Sequence, residues 1–124
     1  MAVVNIGAAG IAELIKTNYQ VIAIGDGRDT TSASQTSMNH FIAKKTGQTP
    51  TRVGSTLVYN VDFTGSQIPA SGVSEIGIFE NGSDTNTANP PDGDLLSRVT
   101  FTSTGTVAAS DTVSFTIRIE VDGE

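Results

Sequence analysis

From residue 112 to residue 121 the chain alternates without a break: Val113, Phe115, Ile117, Ile119 and Val121 fall on one side, and Thr112, Ser114, Thr116, Arg118 and Glu120 on the other. A period of two puts successive side chains on opposite faces of an extended chain, so this segment reads as a strand with one face in a core and one in water. A helix would scatter the same residues around its circumference. A half-buried strand needs neighbours to pair with and a second layer to cover its apolar face, which already directs the chain toward a layered β fold.

The rest of the sequence supplies those neighbours. Residues 51–64 set Val53, Leu57, Tyr59, Val61 and Phe63 against Arg52, Thr56, Asn60, Asp62 and Thr64, and read as one long half-buried strand. Residues 73–79 are apolar on both sides, with Ile76 and Ile78 on one face and Val73 and Phe79 on the other, which predicts a central strand covered twice. A β-prone run at 19–24 closes on the turn-forming Gly25-Asp26-Gly27-Arg28-Asp29, and residues 95–102 resume a strand with Leu95, Val99 and Phe101 on one side. Between them, residues 81–94 hold two prolines, two glycines and no large apolar group, the composition of a long exposed loop.

Two helices are expected near the N-terminus. Ala8, Ile11, Ala12 and Ile15 recur at helical spacing with Leu14 flanking, and Asn5 is placed to cap them. Gly7 and Gly10 each weaken that helix by about 1 kcal/mol relative to alanine, so it depends on docking to a sheet. Ser32 or Ser34 would cap a second helix with Met38, Phe41 and Ile42 on one face, ended by Gly47 and Pro50. The expected architecture is mainly β: one domain over residues 1–124, an antiparallel β-sandwich with one or two short N-terminal helices.

Chemistry is sparse. No cysteine is present, so disulfides, thiolate metal sites and thiol catalysis are excluded. The sole histidine, His40, has no partner at metal-site or triad spacing and reads as surface or packing. Ser74 lies in Gly72-Val73-Ser74-Glu75-Ile76-Gly77, where the second glycine falls one residue too late for a nucleophile elbow. Glu75, a carboxylate inside an apolar strand, is expected to face solvent, to accept hydrogen bonds from a neighbouring loop, or to pair with Arg98 or Arg52. The acidic turns at 25–29 and 83–94 lack the spaced ligands of a calcium loop, and Gly25-x-Gly27 lacks the third glycine of a dinucleotide fingerprint. No enzyme, cofactor or metal is expected.

The net charge of −6 opposes nucleic-acid binding, and Lys44-Lys45, the one adjacent basic pair, reads as solvated surface. The start, Met1-Ala2-Val3-Val4-Asn5, lacks the pattern of a signal peptide, and no apolar run reaches the roughly 20 residues that span a bilayer. These features predict a protein made soluble in the cytoplasm, without a membrane partner.

Five stretches carry a resemblance: Ile24-Gly25-Asp26-Gly27, the Thr/Ser/Gln segment 31–38, Gly72-Val73-Ser74-Glu75-Ile76-Gly77-Ile78-Phe79, Asp94-Leu95-Leu96-Ser97-Arg98-Val99-Thr100-Phe101 and Asp111-Thr112-Val113-Ser114-Phe115-Thr116-Ile117. Their order resembles the N-terminal domain of phage tail-collar fibre proteins and small stand-alone virion proteins, among them capsid decoration or cement proteins. The resemblance implies a virion structural role in multiple copies, and it carries over no active-site residue. Collar-fibre modules are usually followed by a fibrous shaft, whereas this chain stops at Glu124, just past its last strand. The expected function is therefore a capsid decoration or cement protein, assembled in the host cytoplasm, that binds the major capsid protein or another virion protein and has a homo-oligomeric, trimeric tendency. A tail collar or fibre-attachment adaptor is the alternative, followed by an accessory host-surface or sugar-binding module, which the absence of Trp disfavours. Partner contact is expected at Met1, Ala2 and Val3, at Arg28, Asp29 and Thr30, and at Asp84, Asn86, Asn89, Pro90, Pro91 and Asp92.

Overall fold

A computed structural model describes residues 4–122. Helix α1 (Asn5–Asn18) leads into β1 (Val21–Gly25), β2 (Phe41–Lys45), β3 (Thr51–Val53) and β4 (Thr56–Thr64); a single 3-10 turn (Gly65–Gln67) precedes β5 (Glu75–Phe79), β6 (Leu95–Thr100) and β7 (Thr112–Glu120). The strands form two antiparallel sheets, ordered β2-β1-β5-β6 and β3-β4-β7. Their inner faces meet in one core, where Ile22, Ile24, Ile76 and Ile78 pack with Leu57, Tyr59, Val61 and Phe63. The mainly β, two-sheet antiparallel fold with a short N-terminal helix is as the alternation requires.

Period two is obeyed closely in the longest pair. β4 and β7 run in register from Thr56↔Glu120 to Thr64↔Thr112, so Leu57, Tyr59, Val61 and Phe63 share a face with Ile119, Ile117, Phe115 and Val113. Tyr59 is buried to its hydroxyl, which donates to the Tyr19 carbonyl at 2.7 Å and so satisfies the one polar atom the strand brings into the core. α1 closes the core through Ala8 and Ala12, with Ile15 packed alongside.

Several expectations are corrected. The expected second helix does not form: residues 31–40 are turns and bends, and Phe41 and Ile42 belong to β2. Their helical spacing to Met38 is coincidental, because Phe41 joins the cluster on the outer face of the four-stranded sheet while Ile42 packs toward the inter-sheet core. Pairing with β2 satisfies the backbone groups along one side of the buried strand β1, which a helix at 41–45 would leave orphaned. Residues 51–64 are a hairpin rather than one strand. Val53 pairs with Thr56 across Gly54-Ser55, Gly54 takes φ +61, and Val53 turns outward. Asn5 is the first helical residue, after Val4 as N-cap, and makes no capping bond.

On β6, Leu95 does not share a face with Val99 and Phe101, and Arg98 is buried while Val99 is 51 % exposed. A bulge accounts for Leu95: Ile78 pairs with Ser97 but Phe79 with Leu95, which sends Leu95 to the outer cluster, while Val99 stays opposite Ile76 and is open to solvent at the edge of the sheet. β5 is central and buried along its whole length, as expected, but Val73 packs in the same cluster as Ile76 and Ile78.

Candidate functional site

The outer face of the four-stranded sheet carries small residues where it meets the loops: Ala23 on β1 and Gly77 on β5, with Gly25 at the end of β1. Their size leaves room for two loops, 26–40 and 81–94, to lie across it. What anchors the first loop is Glu75. Both it and Arg98 are fully buried, and Arg98 Nε donates to Glu75 Oε1 at 2.7 Å. The same carboxylate accepts three backbone N–H groups, from Asn39 (2.9 Å) on Oε1 and from Gly27 (2.8 Å) and His40 (2.7 Å) on Oε2. Arg98 Nη1 reaches onward to the Asp29 carbonyl (2.8 Å) and the Thr31 hydroxyl (2.9 Å). One ion pair thus fixes both ends of the loop.

The neighbouring residues fit around that pair. A Cβ on Gly25 or Gly27 would collide with the Glu75 carboxylate, which is why Gly-Asp-Gly stands here. Ser74 is buried and donates to the Gly27 carbonyl at 2.9 Å, so its hydroxyl holds the loop. Asp26 accepts from Ser71 (2.6 Å) and pairs with the exposed ring of His40. Arg52, the other candidate partner for Glu75, instead ties β3 to α1 through Glu13 at 2.7 Å. Among the described residues, Arg98 Nη2 alone of the buried side-chain nitrogen and oxygen atoms has no partner.

Loop 81–94 is ordered by its own carboxylates. Asp92 accepts from Ser83 N, Ser83 Oγ and Asp84 N, while Asp84 accepts from Asn86 N and Asn89 Nδ2. The loop covers the edge of β2: Lys44 N donates to the Thr87 carbonyl at 3.1 Å, and the Lys44 side chain runs beneath to Pro90 O (3.4 Å) and Asp84 (3.9 Å). Lys44 is therefore buried, where the sequence suggested solvated surface.

Burial works to raise the Glu75 carboxyl, but Arg98 and the three N–H donors outweigh it and hold the group below its ordinary 4.5. Asp26 is likewise lowered, by Ser71 and His40 against desolvation, and Asp84 and Asp92 are lowered chiefly by backbone N–H donors. A carboxylate with a depressed folded pKa contributes stability that is complete above its unfolded value and is lost as pH falls through the folded one. Thermal stability is thus expected to hold down to about pH 5 and to drop steadily below it, with a shallower acid slope in Glu75→Gln. Calorimetry across pH 7 to about 2.5 checks this, and equal slopes for the two proteins would contradict it. His40 has the opposite sign. Asp26 raises it above 6.5, so its small, solvent-exposed contribution is present at acid pH and fades as pH rises.

Of the residues expected to meet a partner, Arg28, Asp29 and Thr30 are exposed on the clamped loop. Asn86, Asn89, Pro90 and Asp92 are exposed on the second loop, and Asp84 and Pro91 are half-buried there. Both loops lie over the same sheet, so its outer face gathers these two groups. Met1, Ala2 and Val3 lie outside the described residues. Among the described residues, no three of His, Cys, Asp and Glu are grouped to hold a metal ion, and no helix is long and apolar enough to cross a membrane.

Sequence reading missed a second surface. α1 carries more apolar residues than one face can bury, and Ile6 (85 % exposed) and Leu14 (63 %) project outward with Gly10 between them. A Cβ on Gly10 would touch nothing, so the helix surface there is flat and open. The available signal was arithmetic: Ile6, Ile11, Leu14 and Ile15 span more of the helix circumference than a single stripe.

No protein-family model matches the chain, and no curated protein matches it in sequence.

Proposed function

We propose that this chain is a non-enzymatic structural module of a tailed-phage virion, a capsid decoration or cement protein that binds the outside of the head and stabilises it by packing against the major capsid protein. The observation that carries the reading is the apolar face of α1, where Ile6 and Leu14 stand in water around Gly10. Burying such a side chain contributes about 1.5–3 kcal/mol, so the surface favours a protein partner. Support also comes from how the likeness to virion proteins maps onto the fold: Gly25-Asp26-Gly27, segment 31–38, Glu75 and Arg98 are the residues that build the clamp.

Because those residues belong to the resemblance with tail-collar domains, a collar or fibre-attachment adaptor is the second reading. Particles assembled without the protein distinguish the two when the purified chain is added back and the mixture sedimented. Wild type is expected to pellet with intact heads, while Ile6→Ser and Leu14→Ser, whose side chains touch solvent and leave folding unchanged, pellet about tenfold less. Binding to isolated tails and not to heads would replace decoration by the adaptor reading. Equal pelleting of all three proteins would remove α1 as the docking face.

A further inference from the structure

Four strands have an edge position in the two sheets, and three of those edges are already blunted. The edge of β2 gives its Lys44 N–H to Thr87 in the overlying loop. On β6 a bulge breaks the register and the Thr31 hydroxyl occupies the Arg98 carbonyl at 3.1 Å. β3 has only three residues. β7 differs from all of them. It is nine residues long, pairs with β4 without a register shift, and carries no proline and no inward charge. Such an edge is a template for another strand unless something occupies it.

The ladder shows which groups are free. At its two ends Val121 N donates to Ser55 O (2.9 Å) and Gly65 N to Asp111 O (2.7 Å). Antiparallel bonding alternates, so the odd-numbered residues of β7 turn their N–H and C=O toward β4, and Thr112, Ser114, Thr116, Arg118 and Glu120 turn theirs toward the open edge. The inward row reports the same vacancy. Leu57, Tyr59, Val61 and Phe63 on β4 are fully buried, whereas Val113, Phe115, Ile117, Ile119 and Val121 on β7 are all only half-buried. The second sheet has three strands against the first sheet's four, and a strand beside β7 would supply the fourth.

We propose that β7 is a homotypic docking edge, at which two copies of this chain join β7 to β7 antiparallel about a twofold axis beside Ile119. Charge selects both the occupant and the register. With the axis at Ile119, Arg118 of each copy lies opposite Glu120 of the other as a hydrogen-bonded pair, Thr116 faces Asp122, and Ile117 packs against Val121 across the axis. Moving the axis by one residue places Arg118 opposite Arg118, or Glu120 opposite Glu120, and like charges directly opposite are unfavourable. Within one chain the exposed Arg118 and Glu120 side chains stand 3.9 Å apart on the same face, an alternation that complements itself when reversed. The contact is closed, so it forms dimers and not the trimeric tendency suggested by the sequence. It requires nothing of the virion reading.

Sedimentation velocity on the purified chain tests it, at concentrations from about 1 to on the order of 100 μM. Wild type is expected to be dimeric at the upper end. Thr116→Pro is expected to be monomeric with unchanged circular dichroism, since the N–H it removes faces the open edge. Arg118→Glu and Glu120→Arg alone each put like charges opposite twice per dimer and should weaken association by about tenfold. The double variant R118E/E120R restores opposite pairing and should recover it to within about threefold of wild type. Should Thr116→Pro unfold, the charge variants decide alone, because both positions are exposed. A wild type monomeric throughout, or a double variant no better than the singles, would overturn the proposal.

Discussion

Glu75→Ala is expected to cost the fold about 3–5 kcal/mol, the range for removing one partner of a buried ion pair. The loss has two parts. Arg98 would keep its charge inside the protein with no carboxylate beside it, and the N–H groups of Gly27, Asn39 and His40 would lose their common acceptor. The buried Gly27 donor left unsatisfied costs about 1–3 kcal/mol, and the part-buried Asn39 and His40 donors add to it, so the loop contributes alongside the arginine. For that reason the double replacement Glu75→Met with Arg98→Met is expected to recover only part of the stability, unlike simple buried pairs that tolerate apolar exchange. Urea and thermal unfolding of wild type and these two variants check this, with a Tm lowered by roughly 10–20 °C for Glu75→Ala. A loss below about 1 kcal/mol would mean that the clamp does not organise loop 26–40.

Phe63→Ala should be comparably severe, at about 3–5 kcal/mol, because the ring is fully buried and its neighbours are held by two sheets that cannot collapse into the space. Phe63 meets Phe115 edge-on, with ring centroids 6.4 Å apart, and Lys45 Nζ lies 5.5 Å from the Phe63 centroid. Phe115 is the internal control. It belongs to the same cross-strand layer but sits on the half-buried edge strand, so Phe115→Ala in the free chain is expected to cost distinctly less. Chemical denaturation measures both, and equal losses would contradict the picture of a closed core at β4 and an open one at β7.

The residues that could be read in advance were those whose local pattern agrees with their tertiary setting. β4 and β7 follow from alternation because they pair in unbroken register, β5 follows from being apolar on both faces, and the cost of an isolated buried carboxylate marked Arg98 and Arg52 as candidate partners of Glu75, between which only the fold decides. Where a single residue changes the parity of a strand, the pattern misleads: the bulge at Phe79 and the turn at Gly54-Ser55 invert the expected faces of Leu95 and Val53. Met38, Phe41 and Ile42 fitted a helix by spacing, and only pairing with β1 decided against it. The candidate surfaces were legible in part. Asn, Asp and Pro marked the exposed loops, but the burial of Lys44 beneath one of them depends on a carbonyl at Pro90, which no side-chain pattern encodes.

The central claim, that this chain is a structural component carried on the virion head, is tested most directly by immunogold labelling of intact particles with antibody raised to the purified chain. The account predicts gold distributed over the head surface. Particles left unlabelled by an antibody that binds the free protein would contradict it.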